Sequence, residues 1–406
     1  MKGLIKFEYR KMWNGVSVVS MAALSILTII FAVVTLNIQY RTLDKNGNIV
    51  TGLPSFRALK ESAEDLEGVM DGTYIKNLIK DFDSSFDKTY MDENKGFLGT
   101  GGMTKYIIPN YVINYAYYGP YMSNGNDKIG LEYEFLNSEY NFYQKYKDAV
   151  LEQRLYVNKE NSLFPFSEMQ ADVLKEKINH IKTPFRIAYH TGLANLKGYF
   201  KMEYPVFFVL LVFCLACIYA KDNTNGMDEL VLSSKHGRKK DMAARWIAGN
   251  LFTVTAYLLF VGGLTAVHGS IASLHGLNAS AQTFWFECFH NFNVGTAFLI
   301  IFFGGLAGAL VMANIVMLLS IKLKNSKIAV VAGIAIVWLL WKGASTYGQI
   351  RLLNPIQFGG DNLVIDFMFV GKAIIPYFVV VFALSAVYVT VLWTAMRMTY
   401  KKYFLN

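Results

Sequence analysis

Residues 15–36 read GVSVVSMAALSILTIIFAVVTL, and this uncharged run of 22 residues decides the fold. As an α-helix it measures about 33 Å, enough to cross a hydrocarbon core of about 30 Å. A signal peptide is the alternative, because a basic segment precedes the run. The apolar region of a signal peptide has only about 7–15 residues and ends at a small-x-small cleavage motif, which does not close this run. Residues 14–37 are therefore predicted to form an uncleaved transmembrane helix.

Five further apolar runs predict a mainly α, polytopic membrane protein with six transmembrane helices. They are Tyr204–Ala220, Trp246–Val267, Val294–Ser320, Ile328–Trp341 and Ala373–Met396. The fifth run has 14 residues, and a helix of about 21 Å is too short to cross alone. Either it continues through residues 342–344, or the segment 345–371, with Pro355 and Gly359-Gly360, re-enters the membrane from the outer side.

Composition agrees with a lipid environment. Of the 406 residues, 53% are hydrophobic and only 17% are charged, whereas soluble domains have about 25% charged residues. Three cysteines are too few for a disulfide framework, which excludes a secreted, cysteine-stapled protein. No nucleic-acid partner is expected from a chain this apolar, despite its net charge of +9.

The basic residues indicate the orientation. Sixteen Lys and Arg side chains lie in residues 1–13, 221–245, 321–327 and the C-terminal tail, whereas the loop 268–293 has none. The positive-inside rule places these sixteen in the cytoplasm, with both termini. The charge of +9 is therefore a topology signal. We expect a multi-pass protein of the cytoplasmic membrane, from a bacterium.

Two polar segments precede the second span. Residues 1–13 form an amphipathic helix with Leu4, Tyr9 and Trp13 on its apolar face, as in an interfacial helix that contacts lipid headgroups; a plain basic flank is the alternative. Residues 38–201 form a nearly neutral extracellular domain. Its helical patterns are Phe56–Met70, Leu131–Tyr156 and Ser167–Ile181, and Asn46-Gly47 could turn a hairpin.

The cytoplasmic loop 221–242 is the most informative stretch for function. Met227–Leu232 can form a short helix that begins with Asp228 and Glu229, and Gly237 can end it. Acidic and apolar side chains presented together suit docking into another protein. A solvated loop with basic stop-transfer residues is the alternative.

The loop sequence NGMDELVLSSKHGRKKDMAARW resembles the coupling loop of type-2 ABC exporter permeases. The matching residues are Gly226, Glu229, Leu230, Leu232, Ser233, Ser234, Gly237 and Arg238. Residues 354–358 (NPIQF) are similar to the Pro-containing stretch before the last span of that family. The resemblance implies a permease subunit with a large extracellular domain, which pairs with a second permease subunit as a homo- or heterodimer. Its coupling residues would be Gly226, Asp228, Glu229, Leu230, Leu232 and Arg238.

ATP hydrolysis is expected in a separate chain. No stretch matches the phosphate-binding pattern G-x-x-x-x-G-K-[ST], and residues 99–105 have the wrong spacing. We therefore expect a transport subunit that is not an enzyme and has no cofactor of its own. A partner ATPase subunit would bind ATP and Mg²⁺.

Other candidate sites are weaker. Cys214-x-x-Cys217 sits among apolar residues and is interpreted as packing. His268, His275 and His290 lie near Glu287 and Cys288, where a zinc site is conceivable but interfacial histidines are commoner. Gly304-x-x-x-Gly308 allows a close contact, expected inside the subunit.

Three functions follow from these patterns. The first is export of a peptide or hydrophobic compound, such as antimicrobial-peptide export or immunity. The second is ion-coupled transport, disfavoured because the first four predicted spans contain no Asp, Glu, Lys or Arg. The third is a membrane-anchored peptide-binding sensor or immunity protein, for which the extracellular domain offers Tyr111, Tyr115, Tyr117, Tyr118 and Tyr121. An ordinary aromatic core or a membrane-rim anchor is the favoured interpretation of these tyrosines.

Overall fold

The computed structural model describes residues 1–39, 41–43, 49–77, 112–113, 116, 139–221, 240–343 and 348–402. Within these ranges the chain is mainly helical, and five helices are long and apolar enough to cross a membrane. They contain Gly15–Val34, Thr191–Leu215, Lys240–Ala272, Val294–Leu323 and Tyr377–Lys401. The prediction of a helical, multi-pass membrane protein is confirmed at this level.

The elements follow the chain in a simple order. The first part contains α1 (Lys2–Met12), α2 (Gly15–Gln39), β1 (Arg41–Leu43), β2 (Ile49–Thr51), α3 (Pro54–Ala63) and β3 (Gly68–Val69). The polar domain continues with α4 (Glu139–Asn161), α5 (Glu168–Asn179) and β4 (Arg186–Ile187). The last part contains α6 (Thr191–Leu215), α7 (Lys240–Ala272), α8 (Val294–Leu323), α9 (Ser326–Lys342), α10 (Gly348–Arg351), α11 (Asn362–Ile365), β5 (Phe367–Val370), β6 (Ala373–Pro376) and α12 (Tyr377–Lys402).

The α6 helix is the centre of the bundle. Two thirds of its apolar window is buried, against 22% for α2 and 11% for α12. Phe207, Phe208 and Leu211 are fully buried in the main core, to which α7, α8 and α9 also contribute. The apolar faces that α2 and α12 leave exposed suit contact with lipid.

Helix bounds differ from the predicted spans because helices continue beyond the apolar windows. The α6 helix begins at Thr191, thirteen residues before the predicted Tyr204, and its first half carries Lys197, Lys201 and Glu203. The α9 helix has 17 residues and begins after Asn325, whose side chain accepts bonds from two backbone N–H groups. Residues 373–376 form strand β6, so the last helix begins at Tyr377 and not at Ala373.

The polar domain has a separate aromatic-rich core. Phe142, Tyr146, Leu174 and Phe185 are buried together, and Phe289 joins them from the connection between α7 and α8. The Tyr146 hydroxyl also donates to the Phe286 carbonyl at 2.6 Å. The end of the bundle that carries this domain and the connections 273–293 and 351–376 is called the domain end. The opposite end, which residues 216–221 and 240–245 reach, is called the loop end.

The local predictions for this domain have mixed outcomes. Ser167 caps α5 in a capping box with Gln170, as its position before Glu168 suggested. The first predicted helix of this domain, Phe56–Met70, corresponds to α3, which ends at Ala63. It cannot reach Met70 because Gly68–Val69 pairs with Arg186–Ile187 as antiparallel strands. The strands β1 and β2 pair on either side of Asn46-Gly47, and these two residues, like residues 131–138, lie outside the described ranges.

The Gly304-x-x-x-Gly308 motif packs inside the subunit, as predicted, but against irregular chain. A Cβ atom at Gly304 would overlap the Phe358 carbonyl oxygen, and one at Gly308 would overlap the Pro355 carbonyl oxygen. Gly308 lies fourteen residues into α8, which is about 21 Å along the helix. The 3₁₀ turn Pro355–Gly359 therefore lies beside the middle of a membrane-length helix.

Candidate functional site

The described residues on either side of segment 222–239 meet at the loop end of the bundle. The Tyr219 hydroxyl, before the segment, donates to the Met242 carbonyl after it at 3.0 Å. Arg245 Nη1 donates to the Ile218 carbonyl, also at 3.0 Å. Residues 218–219 and 242–245, which flank the segment, are thus bonded to each other.

A buried ion cluster holds this place together. Arg245 Nε lies 2.8 Å from an Asp241 carboxylate oxygen, one helical turn away on α7, and 3.9 Å from a Glu8 oxygen on α1. All three residues are at most 7% exposed. Buried charges persist when they are paired and hydrogen-bonded, so the cluster ties α1 to α7 at the loop end.

Uncharged polar groups extend these links to α8. Ser320 Oγ accepts hydrogen bonds from the backbone N–H groups of Tyr219 and Ala220, each at 3.0 Å. One turn beyond Met242, Trp246 Nε1 donates to Asn314 Oδ1 at 2.6 Å. We call Glu8, Tyr219, Asp241, Arg245 and Ser320 the loop-base network.

The predicted coupling residues themselves lie outside the part of the chain that the structure describes. They are Gly226, Asp228, Glu229, Leu230, Leu232 and Arg238. The same holds for the tyrosine group at residues 111–121 proposed for peptide binding. The structure therefore shows the base of the loop, and the roles of these side chains stay predictions.

The α6 helix carries a buried carboxylate beside the middle of α2, one of the five helices long enough to cross a membrane. Glu203 is 4% exposed, and its Oε2 accepts a hydrogen bond from the Thr28 hydroxyl of α2 at 2.5 Å. The expectation that the first four spans lack ionisable residues is therefore wrong. The expectation was based on the apolar run that begins at Tyr204, which covers only the second half of α6. The helix itself begins at Thr191 and includes Glu203.

A second ion cluster joins the polar domain to the bundle. Arg154 of α4 contacts Glu287 at 3.0 Å and Asp366 at 3.1 Å, and Arg351 contacts the other oxygen of Asp366 at 3.2 Å. Arg154 is 5% exposed. Sequence reasoning missed this cluster because Arg154 and Asp366 are 212 residues apart, and no local spacing indicates their contact.

His268, His275 and His290 do not form a joint site. His275 pairs with Glu67 at 2.8 Å, whereas His290 stacks on Phe292 and the His268 ring is tilted against the Tyr199 ring. Within the described ranges no group of three or more His, Cys, Asp or Glu side chains could hold a metal ion.

Burial sets the protonation of the titratable groups at the domain end. It lowers the pKa of His190 and of His290 to about 4, so both rings are neutral at neutral pH. Burial also raises the pKa of the Cys288 thiol to about 12. Cys288, Cys214 and Cys217 are free thiols. A thiol that stays protonated is a poor nucleophile, so Cys288 is a packing residue.

No protein-family model, curated protein or solved structure matches this chain. A functional proposal therefore rests on the sequence pattern of residues 226–238 and on the geometry beneath it.

Proposed function

We propose that the chain is the permease subunit of an ATP-driven type-2 ABC exporter. The observation that carries this proposal is the loop-base network. A coupling loop must transmit a displacement from a separate ATPase to the transmembrane helices. Through Tyr219, Arg245 and Ser320 the base of segment 222–239 bonds to α7 and α8, and Arg245 pairs with Glu8 of α1. A displacement of the loop would therefore move these helices together.

The proposed topology has six spans, with the loop end in the cytoplasm. The α9 helix, the fifth span in chain order, is added to the five long helices. Its 17 residues measure about 26 Å, and Lys342 at its end can reach the surface. The extracellular domain would then occupy the domain end, and segment 345–371 would re-enter the membrane beside Gly304 and Gly308. Both termini would be cytoplasmic, in a bacterial cytoplasmic membrane with lipid around α2 and α12.

The proposed partners are separate ATPase subunits, which bind ATP and Mg²⁺, and a second permease subunit. No nucleic acid is involved. The cargo would be a peptide or hydrophobic compound, in antimicrobial-peptide export or immunity. ATP-driven closure of the ATPase pair would push on the loop around Glu229, and rigid-body motion of the helices would open a path between two permease subunits.

The test is ATP hydrolysis by the complex that copurifies with the tagged chain in detergent. Glu229→Lys, or deletion of Met227–Leu232, should reduce the copurified ATPase activity at least tenfold while membrane insertion survives. Glu176→Lys is the matched control, because this exposed glutamate lies on α5 at the domain end. Full ATPase activity in both loop variants would contradict the proposal.

Ion-coupled transport is a second candidate, and the buried Glu203 favours it. Such transporters need ionisable groups within their spans, and Glu203 bonded to Thr28 is such a group. In this case transport in proteoliposomes would need a proton or sodium gradient but no ATPase chain, and Glu203→Gln would abolish it. Transport that survives Glu203→Gln and needs an ATPase removes this candidate.

A further inference from the structure

Strand β5 (Phe367–Val370) pairs along one edge only, among the residues that the structure describes. Its partner is β6, and the two strands form an antiparallel sheet of two. The turn between them has two residues, Gly371 and Lys372, and Gly371 has a φ of +61°, as a type II′ turn requires at its first central position. The other edge of β5, called the open edge, has no strand beside it.

The register of the hairpin fixes which main-chain groups face the open edge. In a hairpin with a two-residue turn, the pair of residues that flanks the turn exchanges hydrogen bonds, and every second pair beyond it does so too. Pro376, opposite Phe367, has no N–H and occupies an unbonded pair, as this pattern requires. The N–H and C=O groups of Phe367 and Phe369 therefore point away from β6.

A cavity of about 330 Å³ lies along the open edge. Phe367, Met368 and Phe369 of β5 line it, whereas no residue of β6 does. Successive side chains of a strand point to opposite faces, so a cavity that touches all three residues follows the edge of the strand and not one face. The other side of the cavity is formed by α4 and the connection from α4 to α5.

The walls of the cavity suit an uncharged, apolar ligand. Phe166 packs against Phe367 and Phe369, with ring centroids 5.6 and 5.1 Å apart, which fixes one wall. Phe164 also lines the cavity and is 74% exposed, so this ring lies where the cavity opens to the surface. At the far end, the ion cluster around Arg154 balances two guanidinium groups with two carboxylates. A neutral ligand leaves this balance unchanged.

We propose that the open edge of β5 binds an extended, uncharged peptide as a third strand. The peptide main chain exchanges hydrogen bonds with Phe367 and Phe369, and an apolar side chain lies in the cavity against Phe164 and Phe166. An unpaired strand edge offers N–H and C=O groups in the alternating order that another strand matches. The four residues of β5 measure about 13 Å, so a peptide of similar length pairs with them. The inference does not depend on the proposed exporter function, because the edge and the cavity belong to this chain alone.

The experiment measures binding of the peptide acetyl-Thr-Val-Phe-Val-Thr-amide to the purified full chain in a neutral maltoside detergent by calorimetry. Two derivatives carry N-methyl groups, one on its second and fourth residues and the other on its third and fifth. Each keeps every side chain but loses two N–H donors. Because alternate N–H groups of a paired strand face its partner, one derivative should bind about tenfold or more weakly than the other. Equal binding of the two derivatives, or no binding of the unmethylated peptide, overturns the proposal.

A proline in the strand tests the same hydrogen bonds from the side of the protein. Phe369→Pro removes an N–H group that faces the open edge, which an edge strand tolerates, and it also removes the ring. Phe369→Leu is the matched control, because it removes the ring but keeps the N–H. The unmethylated peptide should bind Phe369→Pro about tenfold or more weakly than Phe369→Leu, and equal affinities overturn the proposal. If Phe369→Pro fails to fold, the comparison of the methylated peptides on the wild-type chain decides.

Discussion

At the scale of single residues, Arg245 joins more parts of the loop end than any other side chain described above. It pairs with Asp241 and Glu8, donates to the Ile218 carbonyl, and lies over the Tyr219 ring at 5.8 Å. Arg245→Leu would remove the cation that lies 2.8 Å from the buried Asp241 and one of the two cations beside the buried Glu8, which also pairs with Lys11 at 3.8 Å. Removing one partner of a buried ion pair destabilises by about 3–5 kcal/mol, so we expect a clearly lower thermal midpoint in detergent.

Arg57→Leu is the matched control for this prediction. Its guanidinium also pairs with a carboxylate on the same helix, but the side chain is 87% exposed. Exposed pairs contribute about 0–1 kcal/mol, so the midpoint should hardly move. Arg245→Lys should lie between the two, because lysine keeps the charge but not the fork of donors. Similar midpoints for Arg245→Leu and Arg57→Leu would refute the role assigned to Arg245.

His290 predicts a dependence of stability on pH. Burial lowers its pKa from 6.5 to about 4. As the pH falls, the unfolded chain therefore binds a proton at this histidine near pH 6.5, whereas the folded chain binds it only near pH 4. Stability is therefore lost as the pH falls from about 6.5 towards 4. In His290→Phe, the fall in unfolding free energy between pH 7 and pH 5 should be about 1–2 kcal/mol smaller.

Phenylalanine suits this position because His290 already packs between Phe289 and Phe292, at 4.3 and 5.2 Å. The measurement is the thermal midpoint of the purified chain at pH 7 and pH 5. His180→Gln is the control, since this histidine is exposed, and its midpoint should fall as in the wild type. A His290→Phe variant with the wild-type fall would contradict the prediction.

At the scale of elements, the contact between α8 and the turn Pro355–Gly359 depends on glycine. Gly308→Ala places a Cβ atom against the Pro355 carbonyl and the Tyr204 hydroxyl, and overpacking of this kind destabilises by about 1–3 kcal/mol. Gly262→Ala on α7 is the control, because nothing lies within 4 Å of its added Cβ. We expect a lower thermal midpoint only for Gly308→Ala. Equal midpoints for Gly308→Ala and Gly262→Ala would show that the turn does not pack closely against position 308.

Local signals predicted some elements of this fold and missed others. The start of α5 could be predicted because Ser167 and Gln170 form the cap within four residues of each other. The start of α6 could not, because Lys197 is held by Asp361 at 3.5 Å and lies over the Phe284 ring, both distant in sequence. Hydropathy locates the lipid-facing part of a helix and not its polar continuation.

The same distinction applies to the candidate sites. The loop 221–242 could be recognised because its pattern is contiguous in sequence. Its base could not, because Glu8, Arg245 and Ser320 come from three separate helices. The Arg154–Asp366 cluster likewise joins the polar domain to the segment before the last helix. Contacts between distant segments follow from packing, and no local spacing indicates them.

At the scale of the whole molecule, three helices connect the two candidate sites. The α6 helix runs from the polar domain to the loop end over 25 residues, about 37 Å, and α7 and α8 run alongside it. They share one buried core, and close-packed interiors transmit strain. In the proposed mechanism a displacement of the loop base would thus reach the domain end, where Arg154 joins the polar domain to the bundle.

The proposed function requires that segment 222–239 docks a separate ATPase. The most direct measurement places the photo-cross-linker benzoylphenylalanine at position 230, and at position 176 as a control, and identifies the cross-linked chain by mass spectrometry. We expect position 230 to capture a protein with the pattern G-x-x-x-x-G-K-[ST], and position 176 not to capture it. Capture of no such protein at position 230, or of the same protein equally at position 176, would contradict it.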